Sequence, residues 1–188
     1  MWRPYSIANA PRPDSVLEFH VRAAGASGLS AALVRRLRAG DIIRLSQPLG
    51  SMTLVHDSTR DIVCVAGGTG LAPVKAMVEQ LGRENGNRWV YLFLGARTRE
   101  GLYDLAALNR FAARHPWLSI VAACSAEPGY PGDRGPINEV VERYGPWAEH
   151  EFFVSGPPGM VRATLGTLSR LRVPHQLVHY DAVAEPAP

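Results

Sequence analysis

Asp61-Ile62-Val63-Cys64-Val65-Ala66-Gly67-Gly68-Thr69-Gly70-Leu71-Ala72-Pro73 opens the stretch whose reading decides the fold, and it runs on to Leu81. Ile62 to Ala66 is an unbroken apolar run, the pattern of a strand buried on both faces. Gly67-Gly68-Thr69-Gly70 makes a turn. Then a helix begins, with Pro73 in its first turn and Val74, Met77, Val78 and Leu81 at i, i+3, i+4 and i+7. A buried strand feeding a glycine turn and a helix N-terminus points backbone N–H groups outward, and glycine lets a diphosphate approach the main chain. Taken alone, such a turn serves plain strand-to-helix geometry equally well.

Outward from it toward the C-terminus, strand and helix patterns alternate. The spacing predicts a strand over 89–94 and a helix over 104–114 with Leu105, Leu108 and Ala112 on one side. A strand over 118–123 follows, then a helix opened by Pro136 and carrying Ile137, Val140, Val141 and Tyr144. A strand over 152–154 meets the turn Ser155-Gly156-Pro157-Pro158-Gly159, a helix covers 160–171, and the last strand covers 176–180. Continuous apolar strands alternating with amphipathic helices imply an α/β fold with a parallel, doubly wound sheet. Ligands bind such sheets at the carboxyl ends of the strands, where these glycine-rich turns fall. His175 and His179 share a face of the predicted last strand at a distance that does not suit one metal ion, and no metal site is expected.

The 188 residues allow one large or two small domains. The formal net charge is +3, and the basic residues are scattered arginines with Lys75 the sole lysine. That pattern does not argue for nucleic acid. No apolar run approaches the ~20 residues of a membrane span, and the first residues lack the order of a secretory signal. Cys64 and Cys124 are the only cysteines, too few for a four-cysteine cluster. A cytoplasmic home is the default expectation.

Ahead of this sheet, residues 1–55 read as β structure interrupted by one helix, with 56–60 as a polar linker. Strands are expected over 3–8, 16–22, 42–45 and 52–55. In 16–22, Leu17, Phe19 and Val21 alternate with Val16, Glu18, His20 and Arg22. Ser30 is expected to cap a helix bearing Leu33, Val34 and Leu37 and ended by Gly40. So few strands do not close a barrel.

Arg3-Pro4-Tyr5-Ser6 resembles the R-x-Y-S flavin motif of the ferredoxin–NADP reductase-like family, and Gly28-Leu29-Ser30, Gly40-Asp41 and Pro48-Leu49-Gly50-Ser51 follow in that family's order. Gly67 to Pro73 looks like its pyridine-nucleotide turn, and Ser155-Gly156-Pro157-Pro158-Gly159-Met160 like its C-G-P-P-x-M segment. Gly95-Ala96-Arg97-Thr98 is similar to its loop after the second strand. The resemblance implies an incomplete antiparallel β-barrel flavin domain over 1–57 and an NAD(P)-binding α/β domain over 58–188. It implies FAD and NAD(P)H as cofactors, with hydride passing from nicotinamide to flavin. Single electrons would then go to an external acceptor, an iron–sulfur protein, a haem domain or an oxygenase component.

It also implies residue roles. Arg3 would neutralise the FAD pyrophosphate, a task suited to a guanidinium. Tyr5 would stack against the isoalloxazine, Ser6 would hydrogen-bond near flavin N5, and Pro4 between Arg3 and Tyr5 would belong to the same cofactor-binding run. His20, Val21 and Arg22 would border the cofactor with their main chain, and Gly28, Leu29 and Ser30 would hold the pyrophosphate from the other side. Gly68, Thr69, Gly70, Ala96, Arg97, Ser155, Gly156 and Pro157 would take the pyridine nucleotide. Ser6 and Ser155 are the residues expected beside the reacting atoms. Ser155 stands where many relatives have cysteine. Val183 follows Ala182 where relatives often place a flavin-covering aromatic, so that the stacking partner is expected to be either absent or supplied by Tyr180. The loop Ser125-Ala126-Glu127 offers no basic cluster for a 2′-phosphate, although Arg97 and Arg99 lie nearby, so NADH is favoured over NADPH. The resemblance implies further barrel strands before Arg3. A chain without them would hold FAD poorly, and the alternative reading is a truncated, non-enzymatic nucleotide-binding or interaction module.

Overall fold

The computed structural model describes residues 2–55, 57–85 and 87–182. Helix α1 covers Leu29–Arg35. The sheet is built from β1 (Ile62–Gly67), β2 (Val90–Ala96), β3 (Leu118–Cys124), β4 (Asp133–Arg134), β5 (Glu151–Gly156) and β6 (Val178–Ala182), with helices α2 (Leu71–Glu84), α3 (Leu105–Ala112), α4 (Ile137–Tyr144) and α5 (Pro158–Arg170) between them. The strand order is β4-β3-β2-β1-β5-β6. All neighbours are parallel, and helices link the consecutive strands except β3 and β4, which a loop joins.

Alternate residues of each strand serve opposite layers. On one face Ile62, Cys64 and Ala66 meet Leu71, Val74, Met77, Val78 and Leu81 of α2 and Leu108 of α3. On the other, Val63, Val65, Phe152 and Val154 meet Ile137, Val140 and Val141 of α4 and Val161 and Leu168 of α5. Every residue of β1 and β5 is buried. At roughly 1.5–3 kcal/mol for each large apolar side chain fully removed from water, these two layers hold the sheet together.

The predicted elements after residue 60 are all present with shifted ends. Pro73 is the third residue of α2, α5 starts at Pro158, and β5 is longer than the expected 152–154. His175 lies in a 3₁₀ turn, His175–Leu177, and not on the last strand with His179. The two-residue β4 was not anticipated. Among the described residues, no helix is long and apolar enough to cross a membrane.

The N-terminal segment departs further. None of the four strands expected over 3–55 forms as a regular strand. The pairing there is one antiparallel bridge, Ile7 to Phe19, with the Ala8 N–H donating to the Glu18 carbonyl at 2.8 Å. A strand requires a ladder partner, and the described residues offer none to 42–45 or 52–55. Ile42 and Leu49 are accordingly more than nine-tenths exposed. Helix α1 is short, with Gly28 as its N-cap and Arg36 rather than Gly40 at its end. The Ser30 hydroxyl does not cap it and instead accepts the Ala24 N–H at 3.1 Å.

A candidate dinucleotide site at the switch point of the sheet

From β1, connections run outward to β2 and β3 on one side and the sheet continues through β5 and β6 on the other, so the order reverses between β1 and β5. A crevice opens at the carboxyl ends of strands at such a point. Ala66 of β1 pairs with Ser155 of β5 there. Gly68–Gly70 forms a 3₁₀ turn leading into α2, and Pro157 leads into α5. No side chain caps either helix, so first-turn N–H groups of both remain without side-chain acceptors at this edge.

The two turns touch through their main chains. A Cβ on Gly70 would collide with the Ser155 carbonyl and the Gly156 Cα. Gly68 has φ +52°, which a side chain rarely adopts, and it faces open space. Gly68 and Thr69 are half-buried and Pro157 is exposed, whereas Ser155, 1 % exposed, and Gly156 are part of the packed strand end.

The rim beside this crevice comes from the ends of β2 and β3. The Ser125 N–H donates to the Ala96 carbonyl at 3.0 Å and the Ala126 N–H to the Arg97 carbonyl at 2.8 Å, which joins the two loops. Arg97 is exposed. Arg99 is not free: its Nε donates to Glu127 Oε1 at 2.8 Å, and its backbone N–H to Glu127 Oε2 at 2.7 Å. That hydrogen bond, with the carboxylate charge, raises the guanidinium pKa further above its ordinary value.

Of the N-terminal candidates, Arg3, Pro4, Arg22 and Gly28 are exposed, and Tyr5, Ser6, Val21, Leu29 and Ser30 are half-buried. The His20 ring turns into a polar cluster, with Nε2 2.9 Å from Glu18 Oε1 and Nδ1 2.6 Å from the Tyr103 hydroxyl. Glu18 also accepts from Lys75 Nζ at 2.9 Å. Sequence reasoning missed Glu18, Lys75, Glu79 and Tyr103; a sole lysine on an otherwise apolar helix turn was the one available signal. His179 bonds Glu151 at 3.1 Å and stacks on Phe153, and half-exposed Tyr180 lies on β6. Val183 lies outside the described residues.

The family model for the oxidoreductase NAD-binding domain matches residues 64–165, more than half of the chain. The chain is 35 % identical over 183 residues to the electron transfer component of xylene/toluene monooxygenase from Pseudomonas putida, covering 95 % of this chain and 52 % of that protein. This chain belongs to the ferredoxin–NADP reductase-like family. The reductase component of the naphthalene 1,2-dioxygenase system of Pseudomonas putida is 33 % identical over 182 residues, covering 96 % of this chain and 55 % of that protein. Among solved structures, the Amycolatopsis cytochrome P450 reductase GcoB superposes with a TM-score of 0.89 at 31 % identity, over 97 % of this chain and 56 % of that one. The chain thus spans about half the length of the curated relatives it matches. Within this family the parallel six-stranded sheet is the NAD-binding unit.

Proposed function

We propose that this chain is the nucleotide-oxidising module of a flavin-dependent NAD(P)H reductase, cytoplasmic, that serves an electron-accepting protein. The acceptor is an iron–sulfur protein, a haem domain or an oxygenase component. One observation carries the reading: two glycine turns in main-chain contact at the β1/β5 switch point, with Gly70 against Ser155. The relatives named above, an electron transfer component and a reductase component, support it.

The residues at the crevice fit a pyridine nucleotide, because the space a side chain on Gly68 would take is open and the N–H groups of two helix starts lie beside it. Gly68, Thr69, Gly70 and Gly156 would hold the pyrophosphate, Ser155 and Pro157 would flank the nicotinamide, and Ala96 and Arg97 would border the adenosine half. A flavin is fitted by the donor set of the N-terminal segment. Arg3 is exposed and makes no ion pair among the described residues, so its guanidinium donors are available to a diphosphate. Pro4, Tyr5 and Ser6 would line the ring, His20, Val21 and Arg22 would border it through their main chain, and Gly28, Leu29 and Ser30 would meet the phosphates. We divide the chain accordingly into a flavin-binding part, 1–57, and a nucleotide-binding part, 58–188.

Bound FAD and NAD(P)H supply the redox chemistry, hydride leaving nicotinamide for flavin and electrons then leaving singly. The protein binds, orients and excludes water; no side chain is needed as general acid or base. Ser155 brings a small hydroxyl-bearing residue to the reacting edge. NADH is favoured over NADPH because Glu127 puts a carboxylate on the rim and occupies Arg99, one of the two arginines there that could meet a 2′-phosphate.

A second reading, a nucleotide-binding or interaction module that does not retain FAD, draws on the exposure of Ile42 and Leu49 and the lack of a regular strand among described residues up to 55. The purified chain decides between them. A bound flavin spectrum and NADH-driven ferricyanide reduction are expected. Colourless, inactive protein that binds NADH would favour the second reading, and protein that binds no dinucleotide would exclude both.

A further inference from the structure

Lys75, the only lysine of the chain, points into the N-terminal segment with its side chain 14 % exposed. Its ammonium meets three acceptors: Glu18 Oε1 at 2.9 Å, Glu79 Oε1 at 3.1 Å and the Ala8 carbonyl at 3.3 Å. Three donors thus have three partners. Glu79 Oε2 accepts the Ala10 N–H at 3.1 Å. The Glu18 oxygen that takes Lys75 also faces His20 Nε2. With Nε2 as the donor, a tautomer assigned from the network, His20 Nδ1 accepts the Tyr103 hydroxyl proton. Asn9 ties the two arms of the bridge together, its Oδ1 accepting the Glu18 N–H and its Nδ2 donating to the Val16 carbonyl.

We propose that Lys75, Glu18, His20 and Tyr103 form a clamp that fixes the segment bearing Arg3 to Ser6 and His20 to Arg22 onto the nucleotide-binding half. Its members are positioning residues for the two cofactor sites. Lys75 lies five positions beyond Gly70 on α2, about 7.5 Å along the axis at 1.5 Å per residue. Tyr103 follows the loop that leaves β2. The clamp therefore grips two elements that emerge from the ligand edge and connects them to the residues proposed to hold flavin. Hydride transfer demands reacting atoms about 3–3.5 Å apart, and a misplacement near 1 Å can cost about a hundredfold in rate. Other contacts, such as Arg83 with the Pro11 carbonyl and the packing of Met52 and Leu54 on the core, hold the segment nearby. Loss of the clamp therefore loosens the join without detaching it. Loss of Lys75 also leaves Glu18 and Glu79 without the charge between them.

The positioning role rests on the reductase reading, so the test has an arm that needs no cofactor. Amide hydrogen exchange is compared in the full chain and in Lys75→Met. Exchange at Ala8, Ala10 and Glu18 is expected to rise about tenfold or more, with β1 and β5 unchanged. Lys75→Arg should restore most of the protection. If Lys75→Met loses protection in the sheet as well, Glu18→Gln and Tyr103→Phe, which keep the side-chain volumes, give the readout. Unchanged exchange at the three amides in the variants overturns the clamp, whatever the activity. In the second arm, Lys75→Met and Tyr103→Phe should slow flavin reduction by about tenfold while the NADH dissociation constant stays within about twofold. Equal losses in both quantities, or none, overturn the positioning role. If the unaltered chain neither binds NADH nor reduces ferricyanide, the reductase reading fails, and the exchange result alone decides the clamp.

Discussion

Gly70 lies against the Ser155 carbonyl so closely that a single added carbon has no place to go. The obstacle is main chain on both sides, so relief by a rotamer change is excluded. Gly70→Ala should destabilise the chain by about 1–3 kcal/mol, lowering the thermal midpoint by about 2–12 °C. It should weaken NADH binding with it, because β1 and β5 must part at the crevice. Thermal unfolding and a fluorescence titration with NADH check this; a variant matching the parent in both would show that the turns are not in contact.

Glu127 and Arg99 bind each other at an exposed rim, so parting them should hardly change stability. Nucleotide choice should change. In Glu127→Gln the carboxylate charge is gone and the guanidinium can turn to a 2′-phosphate, so NADPH affinity should rise by about tenfold with NADH affinity nearly constant. Dissociation constants for both nucleotides would reveal a shift, and no gain for NADPH would remove Glu127 from the specificity argument.

The Lys75–Glu18 pair sets a pH window for the join. Burial raises the Glu18 pKa, but hydrogen bonds from His20 and Lys75 outweigh it and bring the value below 4.5. Its contribution is complete above 4.5 and is lost as pH falls through the lowered folded value. Burial lowers the Lys75 pKa, while hydrogen bonds from Glu18 and Glu79 outweigh it and lift the value above 10.5. That contribution is complete below 10.5 and is lost as pH rises through the raised folded value. Glu79, His20, Tyr103 and Arg12 are the other titratable groups around the pair. Protection of the Ala8 and Ala10 amides, corrected for intrinsic exchange, should therefore be flat from mildly acidic to mildly alkaline pH and fall at both extremes. A sharp change between those extremes would show that the Lys75–Glu18 pair does not govern the join.

Both cysteines are buried, and burial pushes the Cys64 thiol up to about 12. The thiolate is the reactive form. Neither Cys64 nor Cys124 should react with a disulfide reagent such as DTNB in the native chain at pH 8, whereas both should react once it is unfolded in guanidinium. Fast labelling of one thiol in the native state would mean that the middle of β1 or the end of β3 opens.

The sheet was legible because its strands are covered on both faces, so Ile62 to Ala66 and Phe152 to Val154 read as unbroken apolar runs. β4 was not, since Asp133 and Arg134 have no apolar pattern and pair only through the end of β3. In 16–22 the alternation is present, yet Leu17 is exposed, because alternation tells which residues share a face and not whether a neighbour exists to pair with. The glycine turns were legible as separate motifs; their meeting depended on β1 and β5 being neighbours. Lys75 with Glu18 and Arg99 with Glu127 are contacts across loops and elements, and no local period announces them.

The main-chain contact between the turns also divides the site by how freely it can evolve. Gly70 cannot be exchanged and compensated from a neighbouring side chain, since what it meets is backbone. The Glu127 carboxylate takes the Arg99 side chain and backbone N–H in loops at the surface, outside the packed strands, so either residue can be replaced without disturbing the sheet. Descendants of such a chain would thus inherit one cradle almost unaltered while drifting between nucleotides at its rim.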